Sequence, residues 1–346
     1  MKTTARSTCS YCGVGCGVKV ELDSQGHLQL TGDEQNPANY GKLCSKGMNL
    51  HHVAMDTTDR ILQPKWRKNR DQDFQDTSWI ESISYAADKF KSIIAEHGPD
   101  SVGLYLSGQM LIEEYYIANK LTKGFLGTNN VDTNSRLCMS SAVVAYKKSI
   151  GEDAPPISYA DIESCDCFFI SGANPAWCHP ILFRRIEARK AANPNVKIIV
   201  VDPRKTQSAQ DADLFLQINP GTDIYLTNAI AKLLIEQGYS DEEFLAAHVN
   251  NVDDLKSFLA KVDTQEAADI CGIPHEQIQQ AVTMIGEAKT LLTMWAMGLN
   301  QSIIGVNKNL SLINLNLITG RIGKEGSGPF SLTGQPDAMG GREVGG

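Results

Sequence analysis

The chain has 346 residues, 42% of them hydrophobic and 21% charged, an ordinary globular composition with room for more than one domain. Its formal net charge of −8 argues against a nucleic-acid binder. No apolar run reaches the length of a membrane-spanning helix. The first residues show neither an apolar signal core nor paired arginines, so the cytoplasm is the expected compartment.

The chain begins with its densest chemistry. Cys9, Cys12, Cys16 and Cys44 follow a C-x2-C-x3-C-x27-C spacing, with Gly13, Gly15 and Gly17 between and beside them. Three thiolates close together wrap one small inorganic body, and the fourth returns to close the cage. Glycine allows the positive φ and close backbone approach that a tight thiolate loop needs. Four cysteines without histidine are the ligand set of a [4Fe–4S] cluster. Structural zinc is the alternative, but it usually takes two paired knuckles, whereas these ligands divide three and one. Lys46 follows the last ligand in Cys44-Ser-Lys-Gly-Met. Alone it reads as a solvated charge; beside a cluster it places a cation toward a second redox centre. Nine cysteines cannot all pair internally, and Cys138, Cys165, Cys167, Cys178 and Cys271 lie outside the quartet.

Residues 1–56 read as a small metal-organised domain in which Val18–Val20 and Leu28–Leu30 form a hairpin. Residues 65–76 are polar and read as a surface loop. From Trp79, the spacing of Ile80, Ile83, Ala87 and Phe90 predicts a helix, and that helix ends at Gly98-Pro-Asp. A strand over Ser101–Leu106 leads through Ser107-Gly-Gln into a helix from about Leu111 to Phe125. Further strands are expected at Cys167–Ser171, Lys197–Val201, Leu214–Ile218 and Leu291–Ala296. Helices are expected over Pro180–Ala192, from the Asn219-Pro-Gly-Thr-Asp loop to Gly238, and over Val306–Thr319. This alternation predicts an α/β fold with parallel strands and helices on both faces. Such sheets bind ligands at the carboxyl ends of their strands, and four of those ends carry Gly, Asn, Asp, Thr or Gln. No G-x-G-x-x-G follows the first strand and no Walker A sequence occurs, so the ligand is expected to be a different nucleotide.

Cys138 opens a helix in Thr133-Asn-Ser-Arg-Leu-Cys, where the helix dipole and Arg136 favour a thiolate. A buried structural thiol is the competing reading. The cluster ahead and the nucleotide-type sheet behind favour a soft-metal ligand. Asp202-Pro-Arg204 suits a purine or ribose, or simply a turn. Pro220-Gly-Thr-Asp suits a phosphate, or simple capping by Thr222 or Asp223. Asn174 and His179 flank Pro-Ala-Trp, where a lone histidine is usually structural. Cys165, Cys167, Cys178 and Cys271 read as core thiols. The Gly-rich stretch from Gly320 resembles a linker, yet Arg321, Lys324, Gln335 and Arg342 are interleaved as anion or amide contacts would be.

Taken in order, these segments resemble the bacterial molybdopterin oxidoreductases of the dimethyl-sulfoxide-reductase superfamily. The nearest resemblance is to the N-terminal portion of the assimilatory nitrate reductase catalytic subunits. It rests on the cysteine quartet with Ser45-Lys46-Gly47, Asn134 to Val143, Gly172-Ala-Asn-Pro, Asp202-Pro-Arg, Pro220-Gly-Thr-Asp, Met297-Gly-Leu-Asn-Gln301 and Gly334-Gln-Pro-Asp-Ala-Met-Gly-Gly-Arg342. The resemblance implies a small [4Fe–4S] domain (1–56) and an α/β molybdopterin region (57–346) that lacks its C-terminal dinucleotide-binding domain.

It also implies two molybdopterin guanine dinucleotides around one molybdenum, with Cys138 as the protein ligand and Lys46 between cluster and pterin. Pterin contacts would come from Gln109, Asn134, Asn174, His179, Asp202, Arg204, Gly221, Asp223, Met297 and Gln301. The implied reaction is assimilatory reduction of nitrate to nitrite by oxygen-atom transfer, with electrons from a flavoprotein subunit, ferredoxin or flavodoxin through the cluster. Arg136 or another cation would steer the anion. Formate dehydrogenases have His after the metal ligand, whereas Met139 stands here. A cluster-and-pterin scaffold without catalysis would not need Cys138.

The chain stops at Gly340-Gly-Arg-Glu-Val-Gly-Gly, which reads as the middle of a loop. It is therefore expected to be a fragment whose uncovered apolar faces are exposed.

Overall fold

The computed structural model describes residues 3–345. The first unit is a three-stranded antiparallel sheet in the order β1 (Thr3–Thr8), β2 (Gly17–Leu22) and β3 (Leu28–Gly32). The expected hairpin is β2–β3; β1 is a strand the sequence did not announce, and it delivers the chain to Cys9. The polar stretch expected as a loop holds two short exposed strands, β4 (Lys65–Trp66) and β5 (Gln75–Asp76). The helix Trp79–His97 begins at Ser78, whose hydroxyl accepts from the Glu81 N–H while Glu81 bonds back to the Ser78 N–H. This capping box stabilises the first turn.

Two α/β bodies follow. In the smaller, β6 (Leu104–Leu106) runs parallel to β7 (Val131–Thr133). The helix Ile112–Asn119 and a π-helical extension to Leu126 join them. The larger is a five-stranded parallel sheet of β8 (Cys167–Ser171), β9 (Lys197–Val201), β10 (Leu214–Leu216), β11 (Leu291–Trp295) and β12 (Gly328–Ser331), ordered β10-β9-β8-β11-β12. The strands are almost continuous apolar runs because both faces are covered. Residues such as Phe169, Ile199, Val201 and Trp295 pack under the helices Asp223–Glu236, His275–Glu287 and Gly305–Ile318. The alternate residues Phe168, Ile170, Val200 and Met294 share the other core with the helix Pro180–Ala192 and with Cys9, Val14, Cys16 and Val18. The thiol loop is therefore one layer of the sheet's second face.

The chain runs outward from β8 to β9 and β10, then returns to β11 on the other side of β8. Between β8 and β11 the strand order reverses, which is where sheets of this kind form a ligand crevice at their carboxyl ends. The two strand ends touch through backbone: the Gly298 N–H donates to Gly172 O at 3.0 Å. A Cβ on Gly298 would stand 2.6 Å from the Gly172 Cα, and Gly172 has φ +57°.

One expected helix is present but lacks a partner for its apolar face, and two other expectations need correction. Ile80, Ile83 and Phe90 do lie on a helix, but it buries no residue, and they are 80%, 62% and 41% exposed. The periodicity gave the helix but not a partner for its apolar face. The Gly-rich stretch is no linker, since it contains β12, a fully buried strand. The terminal segment is not plain loop either, because Ala338–Glu343 is a short helix.

The glycine contact carries a prediction. Gly298→Ala should cost about 1–3 kcal/mol, the range for forcing extra volume into a packed site. Urea unfolding should show the loss, and an unchanged midpoint would contradict the close approach.

Candidate active site and cluster cradle

β1 and β2 pair down to Thr8 opposite Gly17, and the loop between them carries Cys9, Cys12 and Cys16. The Cys9 N–H donates to Cys16 O at 2.8 Å and closes the loop. Cys44 arrives from a long arm at the head of the helix Ser45–Met48. All four thiols line one cavity. Of the three glycines, only Gly15 takes a positive φ, +72°. Gly13 is needed for space: a Cβ there would lie 1.9 Å from Thr333 O.

The cradle's electrostatics favour a bound cation. Burial raises the Cys9 and Cys12 thiols and pushes Cys16 up to about 12, with the neighbouring sulfurs adding to the rise. Pulling the other way are the Tyr11 N–H toward Cys9, the Val14 N–H toward Cys12, and the charge of Lys46. Thiols that resist ionisation alone, yet are served by backbone donors, fit a cationic metal group. Among the described residues, no three His, Cys, Asp or Glu side chains are disposed to hold one ion. The donor set fits an iron–sulfur group.

The cradle is tied to the crevice. The Gly13 N–H donates to Gly334 O at 3.0 Å, and Gln109 Nε2 donates to Ser10 O at 3.0 Å. Gln109 lies beyond β6 and Gly334 beyond β12, so both α/β bodies grip the thiol loop. Lys46 is exposed, with its Nζ 5.9 Å from the centre of the Tyr11 ring.

At the crevice, Cys138 is the fourth residue of the helix Ser135–Ser149, and its Sγ lies 3.1 Å from Met297 Sδ. Asn134 accepts from the Gly108 N–H at 2.7 Å and donates to Gln335 Oε1 at 2.7 Å. Asn174 accepts from the Ser208 hydroxyl at 2.7 Å. The buried His179 bonds through Nε2 to Thr333 O at 2.7 Å. These residues converge from six elements around the ends of β8 and β11.

The remaining candidates divide. Asp202 accepts from the Arg204 N–H at 2.9 Å, and burial raises its carboxyl, as does the Asp223 charge. Arg204 is exposed, and Gly221 has φ +90° beside open space. Asp223 is already engaged: its Oδ2 accepts from Lys308 Nζ at 2.7 Å, and the two side chains are 9% and 3% exposed. Gln301 is exposed just after the Met297–Asn300 turn. Asp202, Arg204, Gly221 and Asp223 thus sit past β9 and β10, beside the crevice group.

The polar demand of the crevice is unmet by the protein. Ser135 Oγ, Ser171 Oγ, His179 Nδ1 and Thr333 Oγ1 are buried without hydrogen-bond partners. Buried polar atoms are normally paired. Four orphans near the strand ends, beside a soft thiol, fit a polar cofactor that carries a metal.

Several side chains behave differently from expectation. Burial raises the Cys138 thiol, and the cation that opposes this is Arg342, not Arg136. Arg136 is exposed and reaches Asp132 at 3.6 Å, so the helix start does not by itself create a thiolate. Arg321 makes amide contacts, as one of its two readings had it: its guanidinium donates to the carbonyls of Ile285, Gly286 and Ala288. Lys324 approaches Asp241 at 3.5 Å, and Arg342 pairs with Asp153 at 3.1 Å. Cys165, Cys167 and Cys271 are buried as expected, but Cys178 is exposed.

Lys308 was missed. Its signal was the single charge of the helix Gly305–Ile318, on the buried stripe in step with Ser311, Leu312 and Leu315. Lys308→Met leaves Asp223 buried and unpaired. It should lower stability by about 3–5 kcal/mol, as breaking a buried pair does. A chemical-denaturation curve matching that of the parent would show the pair to be unimportant.

Comparison with known proteins points to one family. A family model described as molybdopterin oxidoreductase matches residues 60–345, and one described as molybdopterin oxidoreductase Fe4S4 domain matches residues 2–55. A nitrate reductase of Synechocystis sp. is 47% identical over 99% of this chain and 49% of its own length. A nitrate reductase of Klebsiella oxytoca is 42% identical over 99% of the chain and 38% of its length. A periplasmic nitrate reductase of Desulfovibrio desulfuricans is 42% identical over 99% of the chain and 46% of its length. The chain thus spans about half the length of these curated relatives, or less. In fold it matches acetylene hydratase from Pelobacter acetylenicus with a TM-score of 0.79 at 24% identity, over 91% of this chain and 43% of that one.

Proposed function

The chain belongs to the molybdopterin oxidoreductase family, and from that premise we propose that it carries the cluster and much of the pterin site of an enzyme that reduces nitrate to nitrite. The observation that carries the proposal is the placement of Cys138. It stands at the point where the strand order reverses, beside Met297, and orphaned polar atoms lie near the same strand ends. Relatives named as nitrate reductases supply the substrate class.

When bound, a molybdenum–pterin group supplies two-electron oxygen-atom chemistry on nitrate, giving nitrite and water. The chain's own residues provide the setting. The Cys138 thiol is the metal's protein ligand, and the burial that raises it is opposed by the Arg342 charge. Cys9, Cys12, Cys16 and Cys44 hold a [4Fe–4S] cluster. Lys46, exposed and beside Tyr11, stands between cluster and pterin. Asn134, Gln109, Asn174, His179, Met297 and Gln301 bind pterin at the crevice. Asp202, Arg204, Gly221 and Asp223 take the dinucleotide arms, in keeping with a bis(guanine dinucleotide) form. The cluster unit is residues 1–56 and the pterin-holding region is 57–346.

We assign the activity to nitrate assimilation in the cytoplasm, served by a ferredoxin, flavodoxin or flavoprotein donor. The order of motifs, which resembles that of the assimilatory enzymes, supports this. Formate oxidation fits less well. Met139 follows the ligand, is 2% exposed, and accepts from Asn300 Nδ2 through its sulfur at 3.5 Å.

In the molybdenum-loaded holoenzyme, Cys138→Ala should abolish nitrate turnover with reduced viologen while the iron–sulfur absorbance survives. Near-normal turnover would overturn the ligand assignment. Lys46→Met should keep both iron and molybdenum yet lose most turnover. Loss of iron together with activity would give Lys46 a structural role instead.

A further inference from the structure

Two residues outside the candidate site grip both arms of the thiol cradle. Tyr159 lies between the smaller body and β8. Its hydroxyl reaches Val14 O at 3.0 Å and Gly13 O at 3.3 Å. The Gly13 carbonyl and the Val14 N–H belong to one rigid peptide unit. That same N–H is the one directed at the Cys12 sulfur. Tyr159 therefore holds the far end of a dipole whose near end points at a cluster ligand.

Arg185 secures the other arm. It projects from the buried face of the helix Pro180–Ala192 and is 9% exposed. Its Nη2 and Nε donate to Glu163 Oε1 at 2.6 and 3.1 Å. Its Nη1 donates to Pro37 O at 2.9 Å and Ala38 O at 3.3 Å, on the segment that brings Cys44 home. The guanidinium lies 5.6 Å from the Tyr159 ring centre and 5.3 Å from that of Tyr40, whose φ is +43°. A non-glycine residue in that region persists only where its surroundings hold it. A cationic plane between two aromatic rings, with fixed donors at its edge, is such a surrounding.

We propose that Tyr159 and Arg185 are positioning residues for the iron–sulfur cluster: together they fix the Gly13–Val14 peptide and the Cys44 arm, and so tune the cluster's reduction potential. Hydrogen bonds to the sulfurs and solvent exposure are among the levers that set such potentials. A donor N–H aimed at a ligand sulfur stabilises the more negative, reduced cluster. Releasing the peptide removes part of that stabilisation. The inference rests on the presence of the cluster but not on nitrate as substrate.

The test uses the holoprotein purified without oxygen. Tyr159→Phe removes only the hydroxyl and keeps the ring beside Arg185. Iron and acid-labile sulfide should match the parent, the midpoint potential should shift downward, and the g-values of the reduced cluster should change. A potential and spectrum identical to the parent's would overturn the proposal. If Tyr159→Phe loses its iron while its far-UV circular dichroism and thermal transition persist, the hydroxyl is holding the cradle, as proposed; if both collapse, Tyr159 is mere packing and the proposal fails. Arg185→Lys keeps the charge but not the fork of donors. It should release iron to a chelator about 10-fold faster, the scale seen when groups behind metal ligands are altered. An unchanged rate would remove Arg185 from the assignment. A parent protein without iron would sink the cluster reading itself, a failure distinct from an unshifted potential.

Discussion

The packing of the thiol loop against the second face of the five-stranded sheet is the constraint on which the rest depends. Val14 and Val18 share a core with Phe168, Ile170 and Met294, so the loop cannot shift without opening that core. Interiors of this kind are packed as densely as organic crystals and transmit displacement. The loop's place relative to β8 and β11 is therefore fixed by apolar contact. The polar links from Gly13 and Gln109 only trim the register. A cluster bound in the cradle and a metal bound at Cys138 would be held by one rigid body.

The electrostatics follow from that packing. Burial raises the thiols of Cys9, Cys12, Cys16 and Cys138 alike. The same burial disfavours the thiolate form at each of these positions. Cations near the sulfurs are few: Lys46 acts on Cys9 and Cys12, and Arg342 on Cys138. The protein leaves most of the compensating charge to the groups it binds. Metal binding and proton release are then linked, as is usual for thiolate sites.

Much of this was legible in the sequence because the signals were local. The strands Cys167–Ser171 and Lys197–Val201 fall where their apolar runs placed them. The helix Pro180–Ala192 begins with proline in its first turn, where no amide hydrogen is needed. The cysteine spacing marked the cradle for the same reason, since three ligands of one loop are close in sequence. What stayed hidden was non-local. β12 looked like linker because glycine and proline dominate its surroundings, and only pairing with β11 reveals Gly328–Ser331 as a strand. Asp223, read from the sequence as a ligand contact, also pairs with Lys308 far along the chain, and nothing local to either residue signals that pair. Arg136 was credited with a charge effect on Cys138 that comes instead from Arg342, far along the chain. Tyr159 and Arg185 carry no motif; their significance lies in carbonyls more than a hundred residues away.

The central claim is that one rigid body holds an iron–sulfur cluster at the sheet's second face and a molybdenum at the carboxyl ends of its strands. Anomalous diffraction from crystals of the holoprotein, recorded at the iron and molybdenum edges, tests it most directly. The expected result is an iron peak enclosed by the sulfurs of Cys9, Cys12, Cys16 and Cys44 and a molybdenum peak within bonding distance of Cys138 Sγ. A molybdenum peak away from Cys138, or iron absent from the four-thiol cavity, would contradict it.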